Sequence, residues 1–546
     1  MKRLNLTAII LAALLSTMAC TSASAPSSGA TSSGGTAGSS GGSSAALSSL
    51  VVGTLAVPNV LCACQQSGRQ VAEISAQLFA SPVLVPSSLS QPQPYVAKSW
   101  SVSPDGLTVT LHIDPNAKFS DGQPITSTDI AFSISQVKKY HGFGPQLFGD
   151  VASVDTSDPA TAVIHLSQPD PALFVAMTPP LLPILPEHIY GNSTDLKTDP
   201  RMMQNVVSSG PYRLVSYTPN EQIVLAPNPD FFMKNWTLVK QLVIKQYSDE
   251  STMAIALSSG EAQMADIEDP GIIANLQGNK NVQVSPLGGE GIGGINWLEF
   301  NTKARYLQDV AVRQAIAYGT DVNAIIKDLQ HGVTRPAPGP IAPGLPEFNA
   351  SSVVTYPYDP QKANQLLDSA GYPRGADGMR FTLTLDVDNQ NPPAYSTLLA
   401  QELKSELAQI GIGITLREGP AASEYPIVSN YKYDIFINDV FNWGDPSIGV
   451  ARTYLCSNIR PGVMFTNTSQ YCNSQVDQLL TAAASEVDPA KRQSDYDQFQ
   501  HIVTQDVPIR FLTTESFHIV AKAGITGLPT GPWGVMAPFY DLSAAN

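Results

Sequence analysis

The sequence predicts an α/β protein, and three observations carry that reading. Segments of alternating polarity mark strands, amphipathic runs capped by aspartate and stopped by glycine mark helices, and the two kinds follow one another along the chain. At 546 residues, 43% of them hydrophobic, the chain exceeds what one core organises, so two or three domains are expected.

The elements follow in order. Thr108 to Ile113 and Thr161 to Leu166 alternate polar and apolar residues, bounded by the turn formers Pro104-Asp105-Gly106 and Asp158-Pro159. Asp309 caps a periodic run ending at Gly319, and Asp321 opens another ending at Gly332. Asp359-Pro360 supplies a cap and a first-turn proline to a helix stopped at Gly371. Pro393 to Ile410, stopped by Gly411, predicts a long helix, and Asp488-Pro489 opens one more. Short strands are expected at Phe381 to Leu385, Ile412 to Leu416, Tyr433 to Asn438 and Ile509 to Leu512.

The N-terminus predicts export. Lys2 and Arg3 precede an uncharged run, Leu4 to Ala19, too short to span a bilayer, as in a secretion signal. Thr17-Met18-Ala19-Cys20 resembles a bacterial lipobox, in which Cys20 is lipidated, although Thr17 stands where a large aliphatic residue is usual. Cleavage after Ala23-Ser24-Ala25 is the other exit, hindered by Pro26. Residues 1–20 are thus expected to be a lipoprotein signal and 21–49 a tether. Apart from Pro26 and Leu47, the tether holds only Gly, Ala, Ser and Thr, a composition that buries no core and reaches about 30 Å as a flexible coil.

A formal net charge of −15 argues against nucleic acid, whose binders carry basic patches. Cys20 removed, four cysteines remain, an even number suited to an oxidising compartment. Cys456 and Cys472 stand 16 apart, a span a loop disulfide can close; the state of Cys62 and Cys64, separated only by Ala63, is left open. Enzyme signatures fail their context. Gly38-Ser39-Ser40-Gly41-Gly42 matches a hydrolase elbow but lies in the tether. Gly289-Glu290-Gly291-Ile292-Gly293-Gly294 matches a dinucleotide fingerprint, yet its strand-like run comes after it instead of before. Ser135 and Lys138 lack companion motifs, and no histidine pair has zinc-ligand spacing. No catalytic residue, metal or cofactor is expected.

Other segments carry more. Val96-Ala97-Lys98-Ser99-Trp100, then Lys118-Phe119-Ser120-Asp121-Gly122-Gln123-Pro124-Ile125-Thr126, then Ser209-Gly210-Pro211-Tyr212 and Asn228-Pro229-Asp230 appear in order. Val310 to Tyr318, Asp359 to Tyr372, Trp443 with Asp445-Pro446, and Tyr471 to Leu480 follow. This series resembles the peptide, nickel and oligosaccharide class of solute-binding proteins, family 5. The resemblance implies a hinged, two-lobed, type II periplasmic-binding-protein fold with an extra subdomain. Mapped onto this chain, the first lobe takes residues 50–85, 209–292 and 511–546, the extra subdomain 86–208, and the second lobe 293–510. Gly288, Gly289, Gly291, Gly293 and Gly294 are the expected hinge. The Cys456 and Cys472 pair resembles a disulfide of the dipeptide-binding branch.

The resemblance also implies a receptor of an ABC importer. Its expected partners are a short peptide or other small solute, the permease subunits, and the membrane through lipid on Cys20; a monomer outside the cytoplasm is expected. In the family a carboxylate four residues before the acidic-Pro proline pairs with the peptide's ammonium. Here that position is Asn442, so Asp445, or Asp439 upstream, is the candidate replacement. Trp443 is expected as a cleft wall, Arg335 as a carboxylate partner, and Trp297, Cys64 and Gln65 as further cleft residues. Neutral solutes such as oligosaccharides, and a sensory role without transport, are the alternatives.

Overall fold

Two separate sheets organise the molecule, and the chain passes between them twice. The structure, a computed structural model, describes residues 47–348, 350–389 and 393–544. The signal, Cys20 and nearly all of the tether lie outside the described residues.

The first sheet has seven strands in the order Val282–Ser285, His518–Lys522, Met264–Ile267, Leu50–Thr54, Leu242–Gln246, Gln222–Pro227 and Tyr212–Thr218. Leu50–Thr54 lies at its centre, parallel to both neighbours. Its sequence, LVVGT, is nearly all apolar because both faces are covered. Gly53 lets the helix Glu250–Ser259 approach, since a Cβ there would lie 2.7 Å from Met253 Sδ.

The extra subdomain is built on a four-stranded antiparallel sheet, ordered Ala97–Val102, Thr108–Ile113, Thr161–Leu166, Val151–Asp158. The two strands read from alternation fall on the expected bounds, their apolar residues inward. Thr126 and Asp129 form a capping box at the start of the helix Ser127–Tyr140.

The second lobe centres on five strands, ordered Ile412–Gly419, Phe381–Asp388, Ile435–Phe441, Gly294–Phe300 and Ile509–Thr514. The helix Pro393–Gln409 is the crossover between the parallel strands Phe381–Asp388 and Ile412–Gly419. Several boundaries differ from the sequence reading, the strands expected to end at Leu385, Leu416 and Leu512 running on to Asp388, Gly419 and Thr514, and three differences have a structural cause. The strand expected from Tyr433 begins at Ile435, because Tyr433 is buried with its hydroxyl donating to Glu299 at 3.2 Å. The helix expected after Asp321 is one short turn followed by a π-helical turn, Ile325–Leu329. The second passage lies at residues 515–517, not at 510, because Ile509–Thr514 pairs with Gly294–Phe300 before His518–Lys522 joins the other sheet.

The two passages touch. The Glu515 N–H donates to the Gly294 carbonyl at 3.0 Å. A Cβ on Gly289, whose φ is +121°, would lie 2.8 Å from Phe517 Cβ.

Candidate functional site

A cavity of about 660 Å³ opens beside these passages, walled by every part of the fold. The start of the helix Arg69–Leu78 and residues 67 and 68 line it from the first lobe, together with Glu268 and Pro270. The loop after the helix Ser127–Tyr140 contributes Gly142 and Phe143, and the short helix Gly144–Phe148 that follows contributes Pro145 and Gln146. The second lobe contributes Asn296, residues 439–441, Trp443 and Arg452, and the loop 458–466 closes one side. Its volume falls in the range of roughly 300–1,000 Å³ typical of small-ligand pockets.

Strand parity decides which residues face it. Asn296 lies opposite Asp439, and Gly294 opposite Phe441, so these positions share one face of the sheet. Gly294 has no side chain there, and Glu515 fills the space: a Cβ on Gly294 would sit 2.8 Å from Glu515 Oε2. Two carboxylates, Asp439 and Glu515, therefore line the same corner. Burial raises both above the usual carboxylate range. Asp388 adds to the rise at Asp439 while Arg452 opposes it; Asp439 adds to the rise at Glu515 while Arg69 opposes it.

Arg69 is held by ion pairs to Asp266 and Glu268, with its guanidinium 4.3 Å above the Phe517 ring. Burial pushes Asp266 up to about 6 against the pull of Arg69. Burial pushes Glu73, one turn further along the helix, up to about 8, and the Asp266 charge adds to that. Arg452 lies across the cavity floor, its Nε donating to the Gly449 carbonyl at 3.0 Å and Nη1 to the Phe465 carbonyl at 3.1 Å. Its Cζ stands 4.9 Å from the Phe143 ring centre, and Phe143 packs on Trp443 at 5.5 Å.

The expected site residues divide. Trp443 lines the cavity, in a left-handed backbone conformation (φ +53°) fixed by its N–H donating to the Ile292 carbonyl at 3.0 Å. Asn442 does not: its Oδ1 accepts from the Ala342 N–H at 2.7 Å, tying down the 340–342 segment. Asp445 does not either. It caps the turn at Pro446 and forms a bidentate pair with Arg492, 2.9 and 2.8 Å, so its charge is already matched. Arg335 lies exposed on an adjoining cavity of about 330 Å³, which shares Thr334, Thr514, Glu515 and Ser516 with the first. Trp297, one residue beyond Asn296, points into the core against Phe511. Gln65 donates to the Leu196 carbonyl at 2.6 Å, and the lining starts two residues later at Ser67. Cys64 is bonded to Cys62, and Cys456 to Cys472. The second bridge clasps the loop that supplies Asn458, Arg460 and residues 463–466 to the wall. Among the described residues no group of three or more His, Cys, Asp or Glu side chains is arranged to hold a metal.

Comparison with known proteins agrees with this architecture. The model of the bacterial extracellular solute-binding proteins, family 5, matches residues 91–461. A protein of Brucella ovis assigned as an ABC transporter peptide-binding protein is 28% identical over 433 residues, 76% of this chain and 77% of the relative. The glutathione-binding protein GsiB of Shigella flexneri is 26% identical over 449 residues, 79% and 82% of the two chains. The structure of the periplasmic binding protein DppA of Helicobacter pylori with the peptide STSA superposes with a TM-score of 0.75 at 21% identity, covering 92% of this chain and 99% of that one. With its two lobes of the type II periplasmic-binding-protein fold, this chain belongs to the bacterial extracellular solute-binding proteins of family 5, substrate receptors and not enzymes.

Proposed function

We propose that this receptor captures a short peptide between its lobes and delivers it to the permease of an ABC importer, held at the membrane by lipid on Cys20. The observation that carries the peptide reading is the corner formed by Asp439 and Glu515, two carboxylates lining one cavity. A ligand ammonium placed there matches charge that burial otherwise penalises. Asp439 thus takes the role that Asn442 and Asp445 do not. The peptide-binding assignment of the Brucella ovis relative supports the same reading. The signal and lipobox motifs support the membrane anchor.

A neutral solute is the second reading, favoured by the aromatic wall of Phe143, Phe441 and Trp443, on which sugar rings stack. Mass spectrometry of small molecules released on denaturing the purified protein separates the two. Peptides of two to five residues are expected, and oligosaccharides alone would refute the peptide assignment.

A further inference from the structure

The second lobe meets the extra subdomain as well as the first lobe. Trp443 packs on Phe143 at 5.5 Å. Gly444 comes so close that a Cβ on it would lie 2.7 Å from Val175 Cγ1 and 3.0 Å from the Trp533 ring. A Cβ on Gly106 would lie 3.1 Å from Pro169 Cβ and 3.3 Å from Val487 Cγ1, which brings the second lobe against the residue before Asp170. Asp170 itself is half-buried in this contact, just past the strand Thr161–Leu166, its Oδ1 accepting from the Ala172 N–H at 3.0 Å. Across the contact it faces Asp445 and Arg492, with Tyr496 one turn along the helix from Arg492; on its own side it faces Asp150. Arg492 gives both terminal nitrogens to Asp445, and Asp170 makes no ion pair among the described residues. Three carboxyls thus share one guanidinium. Burial and the Asp445 charge push Asp170 up to about 7, with a smaller push from Asp150, against the Ala172 N–H and the pull of Arg492. Parting the lobes carries Asp445 and Arg492 away and returns Asp170 to water, where a carboxyl titrates at about 4.

We propose that Asp170 is a proton-operated latch: the second lobe closes on the extra subdomain as Asp170 takes up a proton, so the receptor grips its solute more tightly in acidic than in alkaline medium. This rests on the reading that the solute is captured between the lobes. Between about pH 4 and 7 the closed form holds a proton that the open form lacks. The contribution of Asp170 to affinity is therefore fully present below about pH 4, falls as pH rises towards 7 and levels off above it. Asp439 and Glu515 titrate at the ligand corner, so the latch is read as a difference between two chains.

The test compares the full chain with Asp170→Asn and Asp170→Ser, which keep an oxygen to cap the Ala172 N–H and carry no charge at any pH. The probes are an equimolar library of di- and tripeptides and a mixture of malto- and cello-oligosaccharides, and calorimetry measures whichever solutes are retained. The affinity of each variant relative to the unmodified chain should rise at least about tenfold from pH 5.5 to pH 8. At pH 6, in two buffers of different ionisation enthalpy, the unmodified chain should take up on the order of one proton more per solute bound than either variant. A purely structural role would shift the variants by the same factor at both pH values. On the unmodified chain alone, carbon-13 labelling of aspartate carboxyls should show one that titrates at about 4 without the probe and about 7 with it. Parallel affinities across pH, equal proton uptake, or the absence of that aspartate overturns the latch and leaves the receptor reading intact. Failure of both probe sets to bind the unmodified chain removes the receptor reading, and the latch with it.

Discussion

Asp445 shows how far neighbours in sequence can part in space. Two residues from Trp443, it turns away from the cleft and matches Arg492, both side chains being buried. Removing one partner of such a pair strands the other charge. Asp445→Asn is therefore expected to lower stability by about 3–5 kcal/mol, read from urea denaturation, and to leave ligand affinity of the folded fraction within a factor of a few. A large affinity loss without a stability loss would contradict this placement. Asn442 teaches the same lesson. Its amide both accepts from Ala342 and donates towards Pro340, a pairing a carboxylate cannot reproduce. Position relative to Pro446 was legible; which side chain faces the cavity was not, because Arg492, 47 residues away, decides the fate of Asp445.

At the scale of elements, much could be read directly. Alternation located Thr108–Ile113 and Thr161–Leu166 because each strand has one wet and one dry face. Aspartate caps opened the helices at Asp309, Asp359 and Asp488. The cleft corner was less legible: Glu515 sits in an unremarkable connection, and only the pairing of two distant segments lays it over Gly294. The loop between Cys456 and Cys472 adds a covalent element. Closing a loop of this span stabilises by about 3 kcal/mol in the chain-entropy model. Replacing both cysteines by serine is expected to cost that much and, because the loop walls the cavity, to weaken ligand binding about tenfold or more, measured by calorimetry. Unchanged affinity would show that the wall holds without its clasp.

The whole molecule carries an excess of acid, and it buries several of its carboxyls. Burial pushes Glu73 up to about 8, and Glu250, Asp170 and Glu406 up to about 7. In the unfolded chain such groups titrate near 4 to 4.5. Between about pH 4.5 and 8 the folded state therefore holds more protons than the unfolded state, and stability falls as pH rises. Urea midpoints should be higher at pH 5.5 than at pH 8. Glu73→Gln should recover on the order of 2–4 kcal/mol at pH 8 and little near pH 4.5. A midpoint that rises with pH would contradict the burial of these groups. The clasp between Cys456 and Cys472 has its own consequence for the cell. Thiols stay reduced in a cytosol, so a copy of this chain retained there would lack one fastened wall of its cavity. Its cavity would gain that clasp only in an oxidising compartment.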